Sequence, residues 1–158
     1  MPAGSEPAAA PDHAVSLPHT WRPLGPRIAG AAGGTLLLAL FLAAWFAFDD
    51  ETRARFTAIQ IGTLTVLWLL GATAMNALVR SRVVAERDRL VVVNGYRRHE
   101  LDWAQVIAVR LPPGAPWVTL DLADGETLSA MGIQGSDGQR ATRAVRQLRA
   151  LVDQPPNR

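Results

Sequence analysis

The sequence has no cysteine and no lysine, and each absence narrows the chemistry open to the chain. Without cysteine there is no disulfide, no thiolate metal site, no iron–sulfur ligation and no cysteine nucleophile. All 16 basic residues are arginine, and 14 acidic residues nearly balance them to give a net charge of +2. So small a net charge does not indicate a nucleic-acid-binding protein, since such proteins concentrate positive charge on one face.

Charged residues of either sign are also scarce, at 19% of the chain against about 25% in soluble domains. The shortage lies between residues 28 and 79, where two uncharged runs, 28–48 and 57–79, flank a short polar break. At about 1.5 Å per helical residue the first run is about 31 Å long, which matches the roughly 30 Å hydrocarbon core of a membrane. The two runs therefore predict a transmembrane helical hairpin.

Residues 1–27 are rich in proline, alanine and glycine and show no apolar periodicity, which predicts a disordered N-terminal tail. His13 and His19 lie in this segment and are interpreted as solvated side chains rather than metal ligands. A cleaved signal peptide is the rival interpretation of the first apolar run. The long, weakly basic lead, an apolar run beyond the usual ~7 to 15 residues and a second span close behind all favour the hairpin.

Arginines are unevenly distributed around the two runs. The connecting break holds Arg53 and Arg55. The outer flanks hold Arg22, Arg27, Arg80, Arg82, Arg87 and Arg89. Basic residues accumulate in the short cytoplasmic segments of membrane proteins. We therefore expect a two-pass protein of the cytoplasmic (inner) membrane with both termini in the cytoplasm.

Gly30 and Gly34 form a GxxxG spacing in the first run. Small residues let two helices approach closely, which matters in lipid because no hydrophobic drive brings helices together there. One interpretation is a homodimer seam through Gly30 and Gly34. The other, which we favour, is packing against the second helix of the same chain, which is also rich in small residues.

Beyond residue 79 the pattern changes to short runs rich in β-branched residues, separated by turn residues. Asn94-Gly95 lies between two such runs and is a strong signal for a two-residue β-hairpin, because both residues accept a positive φ. About six short, mostly antiparallel strands are predicted. An amphipathic helix over 139–152, with Ser136 or Asp137 as its N-cap, then closes the domain and leaves a C-terminal tail at 154–158.

Several short motifs in this second half resemble those of a known family. They are VVA at 83–85, NG at 94–95, LDWAQV at 101–106, PWV at 116–118, DG at 124–125 and MGIQGSDG at 131–138. The chain is similar here to the PH-domain-containing membrane proteins of actinobacteria, such as the low molecular weight protein antigen 6 group. The resemblance covers residues 80–153 and the helices before them. It implies an α+β membrane protein whose soluble part is a PH-like antiparallel sheet or split barrel capped by a C-terminal helix.

Two features depart from that family pattern. A PH fold has seven strands, whereas the sequence pattern places about six. Eukaryotic PH domains recognise phosphoinositides through a lysine-containing basic cluster on the first hairpin, and this chain has no lysine. Phosphoinositide recognition is therefore not expected.

No set of residues in the sequence points to catalysis, a cofactor or a metal. His99 has no partners for a catalytic triad, and the glycine-rich segment 132–138 lacks the lysine of a phosphate-binding loop. The carboxylates at 121–126 alternate between strand faces or serve a turn. We therefore predict that the protein is not an enzyme.

Four arginines are the candidate contact residues for membrane lipid or a protein partner: Arg87, Arg89, Arg97 and Arg98. Beside the inner leaflet, each basic residue contributes about 1 kcal/mol to attraction for anionic lipids. Three functions remain: a scaffold for an unidentified protein partner, an anionic-lipid sensor, or an accessory subunit of a membrane enzyme or transporter. The scaffold is preferred because it best fits two spans, a small β domain and no catalytic set. The few polar residues in the spans count against a subunit of an enzyme or transporter.

Single cysteines introduced into this cysteine-free chain test the orientation. With both termini in the cytoplasm, an impermeant thiol reagent added to intact cells should label Ala54→Cys in the connecting break and should not label Ser136→Cys. Labelling at position 136 but not at 54 would overturn the orientation and favour an exported domain.

Overall fold

The computed structural model describes residues 15–156, which form a helical pair and a small β domain. The helices are α1 (Gly25–Ala47), α2 (Asp50–Ala54), α3 (Ala58–Arg80) and α4 (Gln139–Asp153). The strands are β1 (His19–Trp21), β2 (Arg82–Ala85), β3 (Arg89–Asn94), β4 (Arg97–Asp102), β5 (Val106–Arg110), β6 (Trp117–Leu122) and β7 (Thr127–Gln134).

The two long helices match the predicted spans. Each has 23 residues and is long and apolar enough to cross a membrane. None of their residues is buried by the rest of the protein, so their leucine, isoleucine and phenylalanine side chains face outward. In water this would expose a large apolar surface, whereas lipid covers it without penalty. These two long helices with outward-facing apolar side chains indicate membrane association through a helical hairpin.

The connection between the long helices is short, and its charged side chains pair with one another. It contains α2, whose N-cap Asp49 accepts a hydrogen bond from the amide of Thr52. Its two arginines both pair with acidic residues of the same segment, Arg53 with Asp50 and Arg55 with Glu51. Thus the connection presents little free positive charge.

Gly30 of the GxxxG spacing packs within the chain. A β-carbon added there would clash with the side chain of Met75 in α3, so this flexible side chain would have to move to admit a larger residue. At Gly34 nothing lies within 4 Å of the corresponding position. The contact at Gly30 agrees with the favoured interpretation of packing inside one chain. The homodimer through Gly30 and Gly34 stays a prediction.

The β domain consists of two antiparallel sheets, with strand orders β1-β2-β3-β4 and β5-β6-β7. The inward faces of both sheets and one face of α4 share a single core that includes Trp103, Leu90, Leu120 and Leu148. The indole nitrogen of Trp103 donates to the carbonyl of Glu86, which fixes the β2–β3 turn over that core. The predicted sheet, hairpin turn and closing helix are therefore confirmed.

The seventh strand comes from an unexpected place. Residues 19–21, which the sequence pattern assigned to a disordered tail, form β1 and pair with β2: Trp21 lies opposite Val83 and His19 opposite Ala85. Trp21 is only 7% exposed, and its indole donates to the Gln147 side chain of α4 at 3.1 Å. The tail prediction is thus wrong for this segment, while residues 1–14, with His13, lie outside the described residues.

Along the chain, the helical pair is inserted between two strands of the β domain. β1 precedes α1, β2 follows α3, and the two strands are antiparallel neighbours. The pair therefore takes the place of the turn of the first hairpin, and the domain is 19–21 together with 82–153 rather than 80–153 alone. Because β1 and β2 share a sheet, both lie on the same side of any membrane that the helices cross.

Gly132 allows the two sheets to meet beside that opened hairpin. A β-carbon on Gly132 would lie 2.5 to 2.6 Å from backbone atoms of Arg82 and Val83. Backbone atoms cannot move aside as a flexible side chain does, so glycine is required where β7 crosses β2.

Replacement of Trp21 tests whether β1 is an integral strand. In the full chain in detergent micelles, Trp21→Ala should lower the free energy of unfolding of the β domain by about 3 kcal/mol or more, because a large buried aromatic is lost. Thr20→Ala, in the same strand but exposed, should change it by less than about 0.5 kcal/mol. Proteolysis of the unfolded fraction across a urea series measures both. Equal stability of the two variants would show that β1 contributes nothing.

Candidate functional site at the junction of helices and sheet

The start of α1 is held by the loop between β7 and α4. Asp137 accepts hydrogen bonds from the backbone amides of Leu24 and Gly25, at 3.0 and 2.8 Å. These amides belong to the first turn of α1, where no intrahelical acceptor exists, and a carboxylate also complements the positive end of the helix dipole. The β domain thereby caps the first apolar helix.

This contact corrects a local prediction. Ser136 or Asp137 was expected to cap α4, yet the N-cap of α4 is Gly138, which receives no side-chain hydrogen bond. Gly138 has a φ of +56°, which lets the chain turn sharply between the Asp137 contact and the helix. Asp137 therefore caps α1, more than 100 residues earlier in the chain, although it is close in sequence to α4.

The end of α3 is held by the Asn94-Gly95 turn. Ser81, the buried C-cap residue of α3, accepts a hydrogen bond from the Gly95 amide at 3.0 Å and donates to the carbonyl of Ala77. Gly95 has a φ of +62°, and an added β-carbon would lie 3.2 Å from the Ala77 side chain. The turn that defines the hairpin also docks it against the second apolar helix.

Tyr96 extends this contact along α3. Its hydroxyl donates to the side-chain oxygen of Asn76 at 3.2 Å, and the guanidinium of Arg80 lies 5.5 Å from its ring centroid. Tyrosine is enriched at membrane interfaces because its ring is apolar and its hydroxyl is polar. Its place beside the last turns of α3 suits that environment.

Asn94 joins the two sheets at the same corner. Its side-chain nitrogen donates to the carbonyl of Ser129, and its side-chain oxygen accepts from the amide of Met131, both in β7. An apolar residue could satisfy neither group, so Asn94 does more than favour the turn. Together the contacts of Asp137, Ser81, Tyr96 and Asn94 fix the β domain to both apolar helices.

The four predicted contact arginines do not form one surface. Arg89 pairs with Glu100 at 2.7 Å and with Asp88 at 3.0 Å, and Arg98 also pairs with Glu100 at 2.7 Å. Hydrogen bonds from Arg89, followed by the charge of Arg98, hold the pKa of Glu100 below its usual range. Arg89 and Arg98 are therefore partly neutralised, which weakens their case as lipid contacts.

Arg87 and Arg97 lie at opposite ends of the sheet. Arg97 faces Asn94 at the end that touches the helices, while Arg87 lies in the β2–β3 turn at the other end. Both are exposed, and neither has a carboxylate within 4 Å among residues 15–156. Of the four, only Arg97 and its neighbour Arg98 lie near the helix end.

The described residues offer little for catalysis. Between residues 15 and 156 no three His, Asp or Glu side chains lie together as a metal site. Asp121 pairs with Arg110 across the β5–β6 ladder, and Asp124 accepts a hydrogen bond from the Glu126 amide in the β6–β7 turn. These carboxylates have structural partners.

A four-stranded and a three-stranded antiparallel sheet, closed by a C-terminal helix, define the PH-like class of domain. The sequence comparisons agree: residues 80–151 match the family model described as "Bacterial PH domain". Uncharacterized proteins of Mycobacterium bovis and Mycobacterium tuberculosis are 32% identical over 145 residues, covering 87% of this chain and 87% of theirs. The chain belongs to the bacterial PH-domain family, which is generally non-catalytic. No match to a solved structure was found.

The junction residues were not identified as functional from the sequence. The signal for β1 was the run His-Thr-Trp between Pro18 and Pro23, together with the strand that a PH fold still required. The role of Asp137 carried no local signal, because its partners precede it by 112 and 113 residues.

Removal of the Asp137 carboxylate tests the junction. Asp137→Ala leaves two amides at the start of α1 without acceptors, at a cost of about 1 kcal/mol, and hydrogen exchange at Leu24 and Gly25 should accelerate about fivefold. Ser136→Ala, at the exposed neighbour, should leave both rates unchanged. Equal exchange in the two variants would mean that the carboxylate does not hold the helix.

Proposed function

We propose that the protein is a membrane-anchored, non-catalytic interaction module: a PH-like domain held at the cytoplasmic face of the inner membrane, where it binds and positions a protein partner. The observation that carries this proposal is that one sheet contains strands from both sides of the helical pair. A domain closed around the base of its anchor cannot swing on a linker. It has a set height and orientation, as positioning a partner requires.

The distribution of charge supports the cytoplasmic orientation. Arginines lie at the helix end of the β domain, among them Arg22, Arg80, Arg82 and Arg97. The far end of the four-stranded sheet carries Glu86, Asp88, Glu100 and Asp102 beside Arg87 and Arg89. Basic residues next to the spans favour the cytoplasmic side and are attracted to its anionic lipids.

Ile107 is the candidate point of contact for a protein. Within residues 82–156 two large apolar side chains are exposed, Tyr96 and Ile107, and Tyr96 contacts α3. Ile107 is 63% exposed on β5, an edge strand whose register with β6 shifts at this position. An apolar side chain exposed on an edge strand suits contact with a cytoplasmic protein.

Photocrosslinking in living cells tests the proposal. A photoreactive residue at position 107 of the full chain should give a discrete protein adduct that mass spectrometry can identify. The same residue at Leu38, on the outward face of α1, is the matched control and should give lipid adducts.

A second variant keeps the result specific. Ile107→Ser should reduce recovery of the identified partner at least tenfold, whereas Thr20→Ser, also exposed, should not. A photoreactive residue is also introduced in place of Arg97. If position 107 gives no protein adduct while position 97 gives lipid adducts, the scaffold proposal is wrong and the lipid-sensing alternative takes its place.

A further inference from the structure

A pocket of about 220 Å³ lies between β1, the end of β7 and the first turns of α4. It is distinct from the four arginines singled out in the sequence. Its polar lining includes His19, Arg22, Asp137, Arg140, Arg143 and Gln147. The segment that was expected to be a disordered tail forms one wall, so the pocket exists only because β1 joins the sheet.

Three arginines in the lining have no acidic partner. Among residues 15–156, neither Arg22, Arg140 nor Arg143 has a carboxylate within 4 Å. Arg89 and Arg98, in contrast, share Glu100. Three arginines that line one cavity without a paired carboxylate leave positive charge there, and a bound anion would balance that charge.

The one carboxylate in the lining, Asp137, offsets only part of the charge of the three arginines. Both oxygens of Asp137 accept from the α1 amides, which directs that carboxylate toward the helix. Burial lowers the pKa of His19, so it adds no positive charge at neutral pH. The side-chain oxygen of Gln147 accepts from Trp21, which leaves the amide nitrogen of Gln147 as a further donor.

The pocket lies beside the start of α1, because Asp137 in its lining contacts the Leu24 and Gly25 amides, and in the membrane-spanning arrangement this end of α1 is close to the headgroups. Arg22 precedes the first residue of α1 by three positions, which is at most about 11 Å of extended chain. The headgroup layer is about 5 to 8 Å thick on each side of the hydrocarbon core. This step rests on the membrane-spanning arrangement of the proposed function.

We propose that this pocket binds the phosphate group of an anionic phospholipid, with Arg22, Arg140 and Arg143 as its ligands. The planar guanidinium fork matches phosphate oxygens and donates two parallel hydrogen bonds. A terminal phosphate monoester offers three oxygens and more charge than a diester, so it suits three arginines best. A soluble phosphate monoester has the same chemistry, and the experiment separates the two sources.

The test uses the full chain, with its tryptophans labelled with nitrogen-15, in phosphatidylcholine nanodiscs. The indole resonance of Trp21 reports on the pocket, because this side chain lines it. Adding phosphatidic acid to the nanodiscs should shift that resonance saturably. Glycerol 3-phosphate, added to nanodiscs of phosphatidylcholine alone, should shift it at least tenfold more weakly; equal or stronger binding of glycerol 3-phosphate would overturn the lipid as the source.

The triple variant Arg22→Gln, Arg140→Gln, Arg143→Gln should lose at least tenfold in apparent affinity for phosphatidic acid. The matched control Arg53→Gln, Arg55→Gln, Arg146→Gln removes the same charge from positions outside the pocket and should retain binding. Equal losses in the two triples, or no shift of Trp21 in the parent protein, would overturn the site.

A more conservative variant is less prone to misfold. Arg140→Lys with Arg143→Lys keeps both charges but removes the fork, so binding should weaken several-fold while the sheet stays intact. Unchanged binding in this variant would contradict recognition by the guanidinium groups. Failure of the pocket would leave the crosslink at Ile107 unaffected, and failure of the membrane orientation would appear in cysteine labelling instead.

Discussion

The pairing of β1 with β2 is the interaction on which the rest of the structure depends. Three residues before the first apolar helix complete the sheet, place Trp21 over the core and bring β1 beside α4. Without that pairing the helical pair would be joined to the β domain only through α3. With it, both helices are anchored at one corner, where Asp137 holds α1 and Ser81 holds α3. Anchor and domain form one body.

The positions of the charges follow from the same arrangement. Each apolar helix ends beside polar groups of the β domain, so its terminal amides or carbonyls have partners there. Arg22, Arg80, Arg82 and Arg97, which have no acidic partner among the described residues, lie where the domain meets the helices, whereas Arg89, toward the other end, is paired with Glu100. Under the proposed function, a membrane surface and a protein partner would meet different ends of one small domain.

How much the sequence could predict depended on the range of the interactions. The two spans, the Asn94-Gly95 turn and helix α4 were correctly predicted, because each depends on a local pattern of apolar or turn residues. β1 was missed: three residues are too few to show alternation, and their partner strand lies beyond both helices. The partners of Asp137 and Asn94 are likewise distant in sequence, so these contacts could not be inferred from neighbouring residues.

The insertion of the helices between β1 and β2 also sets the order in which the protein is built. β1 leaves the ribosome about 60 residues before its partner, which at about 5 to 20 residues per second is a wait of roughly 3 to 12 s. If only one helix entered the membrane, the two strands would lie on opposite sides and the sheet could not close. Completion of the sheet therefore requires both strands on one side of the membrane, and a chain with a single inserted helix would leave its β core incomplete.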